Sequence, residues 1–157
     1  MKKNCLKSSG FTLIELLIVM TIVTLLFTIG IVQYNQFNQR QILTKAKDEL
    51  ISNLRLAQGK SLAGEKPNAC GDEILTGHKL KFVNNQNYKI VAVCDGEVDL
   101  KTEISLSTGV TKQSGPNEVF FKGLSQGTDI VNQVEIVLED SSGETKTITI
   151  TSTGEIK

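Results

Sequence analysis

One acid stands inside an otherwise apolar run. Residues 11–32 read FTLIELLIVMTIVTLLFTIGIV, and Glu15 is the only charged side chain among them. On insertion scales an acid at the centre of a membrane helix costs about 2.5–3.5 kcal/mol. The chemistry open to Glu15 is therefore charge pairing, since a buried carboxylate is tolerated when a cation comes to it. The other groups with chemistry are few: Cys5, Cys70 and Cys94, and a single histidine, His78. A lone His at the start of a predicted strand reads as a surface residue rather than a base. The chain has no G-x-S-x-G, no H-E-x-x-H and no phosphate-binding Gly loop, so no catalytic residue and no cofactor are assigned and the chain is not read as an enzyme. Two Cys and one His without tight spacing are too few for a metal site. The acids at Asp72-Glu73, Asp95-Gly96-Glu97 and Glu139-Asp140 are turn-like and lack a dense Ca²⁺ ligand pattern.

The element that carries Glu15 is long. Its 22 residues make a helix of roughly 33 Å, enough to cross a bilayer core. A secretory signal peptide would have a shorter core followed by a small-residue cleavage site. Here Gln33-Tyr34-Asn35-Gln36 follows, and the small residues Ser8-Ser9-Gly10 come before. A lipoprotein signal fails because Cys5 precedes the run. A plain single-pass anchor accounts for the hydrophobicity, with Glu15 snorkelling or favouring the positive end of the helix dipole. It leaves the G-F-T-L-I-E junction without a reason. Lys2, Lys3 and Lys7 lie ahead of the run, so the positive-inside rule keeps the head cytoplasmic and sends the rest outward.

Lys7-Ser8-Ser9-Gly10-Phe11-Thr12-Leu13-Ile14-Glu15 closely resembles the class III signal of type IV pilins and pseudopilins. The resemblance implies that a prepilin peptidase cuts between Gly10 and Phe11 on the cytoplasmic side and that the new N-terminal Phe11 is N-methylated. It implies that Glu15 is the assembly residue, neutralising the N-terminal amine of a neighbouring subunit. The apolar segment is then retained as membrane anchor and filament core. Many major pilins carry a Pro near the position of Val32, where the helix loosens. This chain has none, and Gly30 is the nearest weak point, costing about 1 kcal/mol against Ala.

Beyond the run the helix is expected to continue. Apolar residues fall at Tyr34, Phe37, Leu43, Ala46, Leu50, Leu54, Ala57 and Ser61/Leu62, mostly three or four apart, so one face is apolar. Gly64 and Pro67 end the pattern. A single helix over residues 11–63 would be roughly 80 Å long; the alternative is a break near residues 33–41. After Pro67 the chain alternates in short segments. Residues 78–83 (HKLKFV) and 88–94 (YKIVAVC) flank Asn84-Asn85-Gln86-Asn87 as a hairpin. Residues 98–107 supply one or two strands and residues 118–122 (EVFFK) another. Residues 133–138 and 145–151 form a second hairpin around Ser141-Ser142-Gly143-Glu144, and residues 153–157 a turn and last short strand. Residues 109–116 read as a surface loop. The expected fold class is α+β: a long N-terminal helix packed on a C-terminal antiparallel β-sheet with one buried face, Val134, Ile136 and Leu138 opposite Ile148 and Ile150. The expected domains are a cleaved leader 1–10, a membrane and filament-core helix 11–32, an amphipathic continuation 33–64 and a β domain 65–157.

The C-terminal half is similar to the GspH/FimT-like branch of pseudopilins. The similarity lies in residues 54–63 (LRLAQGKSLA), 119–127 (VFFKGLSQG) and 148–156 (ITITSTGEI). Cleavage would remove Cys5 and leave Cys70 and Cys94. An even pair on an exported domain suggests a disulfide, worth roughly 3–4 kcal/mol for a loop of about 25 residues; the alternative is two unrelated thiols. Cleavage would also remove three of 17 basic side chains, leaving 14 against 17 acids and a charge near −3, so no basic balance points to nucleic acid.

The function implied is a minor pilin or pseudopilin of a type IV pilus or type II secretion-like filament. Its partners would be the prepilin peptidase, other pilins and an inner-membrane assembly platform. It would sit first in the bacterial inner membrane as a single pass with its β domain outside the cytoplasm, then in the filament. One alternative is a DNA-binding minor pilin acting in uptake, but Thr153-Gly154-Glu155-Ile156-Lys157 departs from a basic tail. Another is an uncleaved, membrane-tethered β domain.

Overall fold

The computed structural model describes residues 10–100, 103–124 and 127–157, without the side chains of residues 28–32. The basic head with Cys5, and Lys101, Thr102, Ser125 and Gln126 within expected elements, lie outside the described residues. The chain divides into two compact units, Met1–Asn38 and Gln39–Lys157. One helix, α1 (Leu13–Ala63), contributes to both and contains no break over residues 33–41.

In the first unit the helix starts at Leu13 because Thr12 caps it. The Thr12 hydroxyl accepts the Glu15 N–H at 3.3 Å, and the Glu15 carboxylate accepts the Thr12 N–H at 3.5 Å. This reciprocal pair is a capping box, which satisfies two donors that every helix start leaves open. Above it the apolar side chains are uncovered all round, from Leu13 at 84% exposed to Val23 at 40%. Among the described residues no helix is long and apolar enough to cross a membrane.

In the second unit α1 lays one stripe inward. Leu43, Ala46, Leu50, Leu54, Ala57 and Ser61 are all buried, at steps of three and four that keep them on one face. Tyr34 and Phe37, expected in the same stripe, are instead exposed. They precede Gln39, where this unit begins. Leu62 is also exposed, and Ser61 takes the inward position. The helix ends as a Schellman turn: Glu65 N–H donates to the Lys60 carbonyl at 3.0 Å and Gly64 N–H to Ser61 at 3.2 Å. Gly64 sits at φ +62°, a conformation glycine adopts without a Cβ penalty.

The strands form two antiparallel sheets rather than the one expected. The first runs β3 (Glu97–Asp99), β2 (Asn87–Val93), β1 (Gly77–Phe82), β6 (Glu118–Lys122), with β4 (Ile104–Ser105) also on β2. The second runs β5 (Val110–Ser114), β7 (Val134–Asp140), β8 (Thr145–Ile150). Both expected hairpins are present, β1–β2 and β7–β8, and Ile136 lies opposite Ile148. The stripe of α1 joins Leu80, Tyr88, Ile90, Val119, Phe121, Ile136, Leu138, Ile148 and Ile150 in one core. Ile156 returns against Ile150 as a single bridge.

Strand β5 corrects the loop expected over residues 109–116. Its sequence, VTKQS, carries no apolar alternation, because the inward position after Val110 is a lysine. Lys112 is buried. Its ammonium lies 4.6 Å from the Phe82 ring centroid and donates to Gly115 O (3.2 Å), Pro116 O (2.9 Å) and Asn117 Oδ1 (2.8 Å). An inward lysine is tolerable when its ammonium is saturated in this way.

Candidate processing and assembly site

Gly10, Phe11 and Thr12 precede the helix and are all exposed. Phe11 is 83% exposed, and a Cβ built on Gly10 would meet nothing within 4 Å. Both residues of the bond between them are therefore exposed. Glu15 lies in the first helical turn, with its carboxylate folded back onto the N–H of the residue after Phe11. The signal for this box, Thr followed three residues later by Glu, stands in the sequence.

Ser61 and His78 form a hydroxyl–imidazole pair that sequence reasoning missed. Seventeen positions separate them, and Ser61 ends the stripe on α1 while His78 follows Gly77 in β1. Ser61 Oγ lies 3.2 Å from His78 Nδ1, donates to Phe121 O at 2.8 Å and accepts the His78 N–H at 2.8 Å. The hydroxyl proton is thus committed to a carbonyl and both side chains are fully buried. The pair works as a clamp joining the helix end to β1 and β6. His78 is not the surface residue expected from its place at a strand start: β1 turns it inward, against the helix end. Burial holds its pKa below the ordinary value, and the Lys60 cation adds to this.

Cys70 and Cys94 form a disulfide with Cα atoms 6.0 Å apart. It ties the 3₁₀ turn Asn68–Cys70 to the end of β2 and packs in a satellite cluster with Ala92. Several turn acids bind within the fold. Glu73 accepts the Asp95 N–H at 3.1 Å. Glu97 pairs with Lys79 and Lys81, which hold its carboxyl down at about 2. Asp140 Oδ1 accepts from Ser142 N–H, Ser142 Oγ and Glu144 N–H and so closes the β7–β8 turn. Among the described residues no three His, Cys, Asp or Glu side chains are grouped to hold a metal ion. At the C-terminus Lys157 is paired with Glu155 at 3.0 Å.

Residues 5–31 match the family described as the prokaryotic N-terminal methylation motif. Over 112 residues the chain is 33% identical to a probable minor fimbrial protein of Dichelobacter nodosus, covering 67% of this chain and 69% of that protein. No solved structure matches the chain.

Proposed function

The chain belongs to the type IV minor pilin family, and from that premise we propose that it is made as a membrane-anchored precursor, cleaved between Gly10 and Phe11 by a prepilin peptidase, N-methylated at Phe11 and built into a filament through its apolar helix. The observation that carries this reading is the junction of the matched motif. Gly10 and Phe11 stand outside the helix and exposed, with Glu15 one turn above them. A protease needs an accessible, non-helical peptide, and the capping box ends the helix two residues past the bond to be cut.

The uncovered side chains over residues 11–27 support the rest. A contiguous apolar surface of that extent calls for a bilayer or for other helices around it. The basic head sets the direction, leaving the second unit outside the cytoplasm. In the filament, Glu15 pairs with the methylated amine of a neighbour, a contact that compensates a carboxylate in an apolar bundle. Within the family, the helix end and closing strand favour the GspH/FimT-like branch. The β domain is then the part presented on the filament, braced by its disulfide in an oxidising compartment.

Mass spectrometry of the N-terminus, on membranes containing an active prepilin peptidase, tests the proposal. A chain beginning at methylated Phe11 is the expected result. A chain still carrying residues 1–10 would leave only a membrane-tethered β domain.

A further inference from the structure

Tyr34 and Phe37 are large aromatic side chains left uncovered by the described residues, at 70% and 61% exposed. Three residues apart, they share one face of α1, and Phe27, 68% exposed, lies seven residues before Tyr34 on the same face. The aromatic face is thus continuous with the apolar run. Around it the positions are amides: Gln33, Asn35, Gln36 and Asn38, all exposed. No charged residue occurs between Glu15 and Arg40. Arg40, the first charge, is engaged by Glu144 at 2.9 Å.

We propose that Tyr34 and Phe37 form the outer interfacial anchor of the membrane-embedded chain, seated among phospholipid headgroups at the end of the apolar run. The proposal rests on the membrane-anchored reading above. The run of 22 residues spans roughly 33 Å, against a hydrocarbon core of about 30 Å and a full bilayer of about 40–45 Å. Tyr34 and Phe37 follow its end by about 3 and 8 Å, which places Tyr34 in the headgroup layer and Phe37 at its outer edge. Aromatic rings with a polar tip or a wet edge concentrate there, and Tyr is enriched at both interfaces. Uncharged amides suit the same layer, since they exchange hydrogen bonds with headgroups and water without the cost of desolvating a charge. The lipid interface is favoured over a neighbouring helix because the aromatic pair sits in a polar ring at a set distance from the run's start.

The chain contains no tryptophan, so single probes report cleanly. Tyr34→Trp and, separately, Ile22→Trp are placed in the full chain and reconstituted in phosphatidylethanolamine–phosphatidylglycerol vesicles carrying bromines shallow or deep in the acyl chains. The expected result is a blue-shifted Tyr34→Trp emission that loses more intensity to shallow than to deep bromines, with the reverse order for Ile22→Trp. Solvent-like, unquenched emission from Tyr34→Trp beside a deeply quenched Ile22→Trp would overturn the anchor while sparing the membrane reading. Emission that becomes shielded only when filaments form would assign the pair to subunit packing and overturn it too. If Ile22→Trp is unquenched as well, the membrane-anchored reading itself fails and the anchor falls with it.

Discussion

His78 shows how a single buried side chain ties stability to pH. Its pKa is lowered in the fold, by burial first and then by the Lys60 cation; the Glu65 carboxylate opposes this. The unfolded chain, with an ordinary value near 6.5, therefore binds the proton more readily than the folded one. Stability contributed by neutral His78 is complete above about pH 6.5 and is lost as pH falls from there to the lowered folded value. The carboxylates held low, Glu97 above all at about 2, lose their share only below the ordinary carboxylate range. The loss from His78 sets in at its ordinary value, above the range where carboxylates begin to protonate, so denaturant unfolding of the full chain in detergent should show a decline that begins as pH falls below about 6.5 and that His78→Gln removes. An unchanged decline in His78→Gln would assign that window to other groups. Sequence alone could not show this. Alternation in β1 puts His78 on the face of Leu80 and Phe82, opposite Lys79 and Lys81, but at the start of the strand the period alone does not say whether that face is covered. The burial of His78 is decided by the helix end, where Ser61 bonds both the His78 N–H and the Phe121 carbonyl. Glu15 was legible for the opposite reason: its type is anomalous among its immediate neighbours, and no distant residue is needed to see it.

At the scale of elements, two devices hold the second unit together: the stripe of α1 and the Cys70–Cys94 bridge. Leu50 sits mid-stripe and is fully buried, so Leu50→Ala should cost about 2–5 kcal/mol through lost contacts and a cavity. The bridge joins residues 24 apart, and the paired change Cys70→Ser and Cys94→Ser should cost about 3–4 kcal/mol, mainly by freeing the unfolded chain. Urea unfolding with and without reductant checks both. Reductant should weaken the natural chain and leave the double variant unmoved, and equal curves would remove the bridge from the account of stability. The elements themselves were readable wherever burial followed a simple period. The stripe from Leu43 to Ala57 has the helical period and hairpin β7–β8 the strand period. Strand β5 was hidden because Lys112 fills an inward position through carbonyl acceptors three to five residues away. The division into two sheets was hidden as well, since pairing partners are fixed by packing between distant segments. Tyr34 and Phe37 misled in the other direction: they fit the period of the stripe yet belong to the unit before it.

At the scale of the whole molecule, the two units present opposite surfaces. The second buries a core of apolar side chains around the α1 stripe, whereas the first leaves its own uncovered from Phe11 to Phe27. A chain with that contrast is completed by something other than itself, in the proposed account first by lipid and then by neighbouring subunits. Glu15 is where the transfer between the two is tested, because its carboxylate has two separable roles. It caps its own helix through the Thr12 N–H, and it is proposed to pair with a neighbour's amine. Glutamine also serves at this position of a capping box but carries no charge. Glu15→Ala removes both roles and Glu15→Gln only the pairing. Both variants should insert and be processed, and both should be missing from sheared filaments while accumulating in the membrane fraction, as read by immunoblot of the two fractions. If Glu15→Gln enters filaments normally and Glu15→Ala does not, the residue matters as a helix cap. The charge pairing would then have to be abandoned, although the chain would remain a filament subunit.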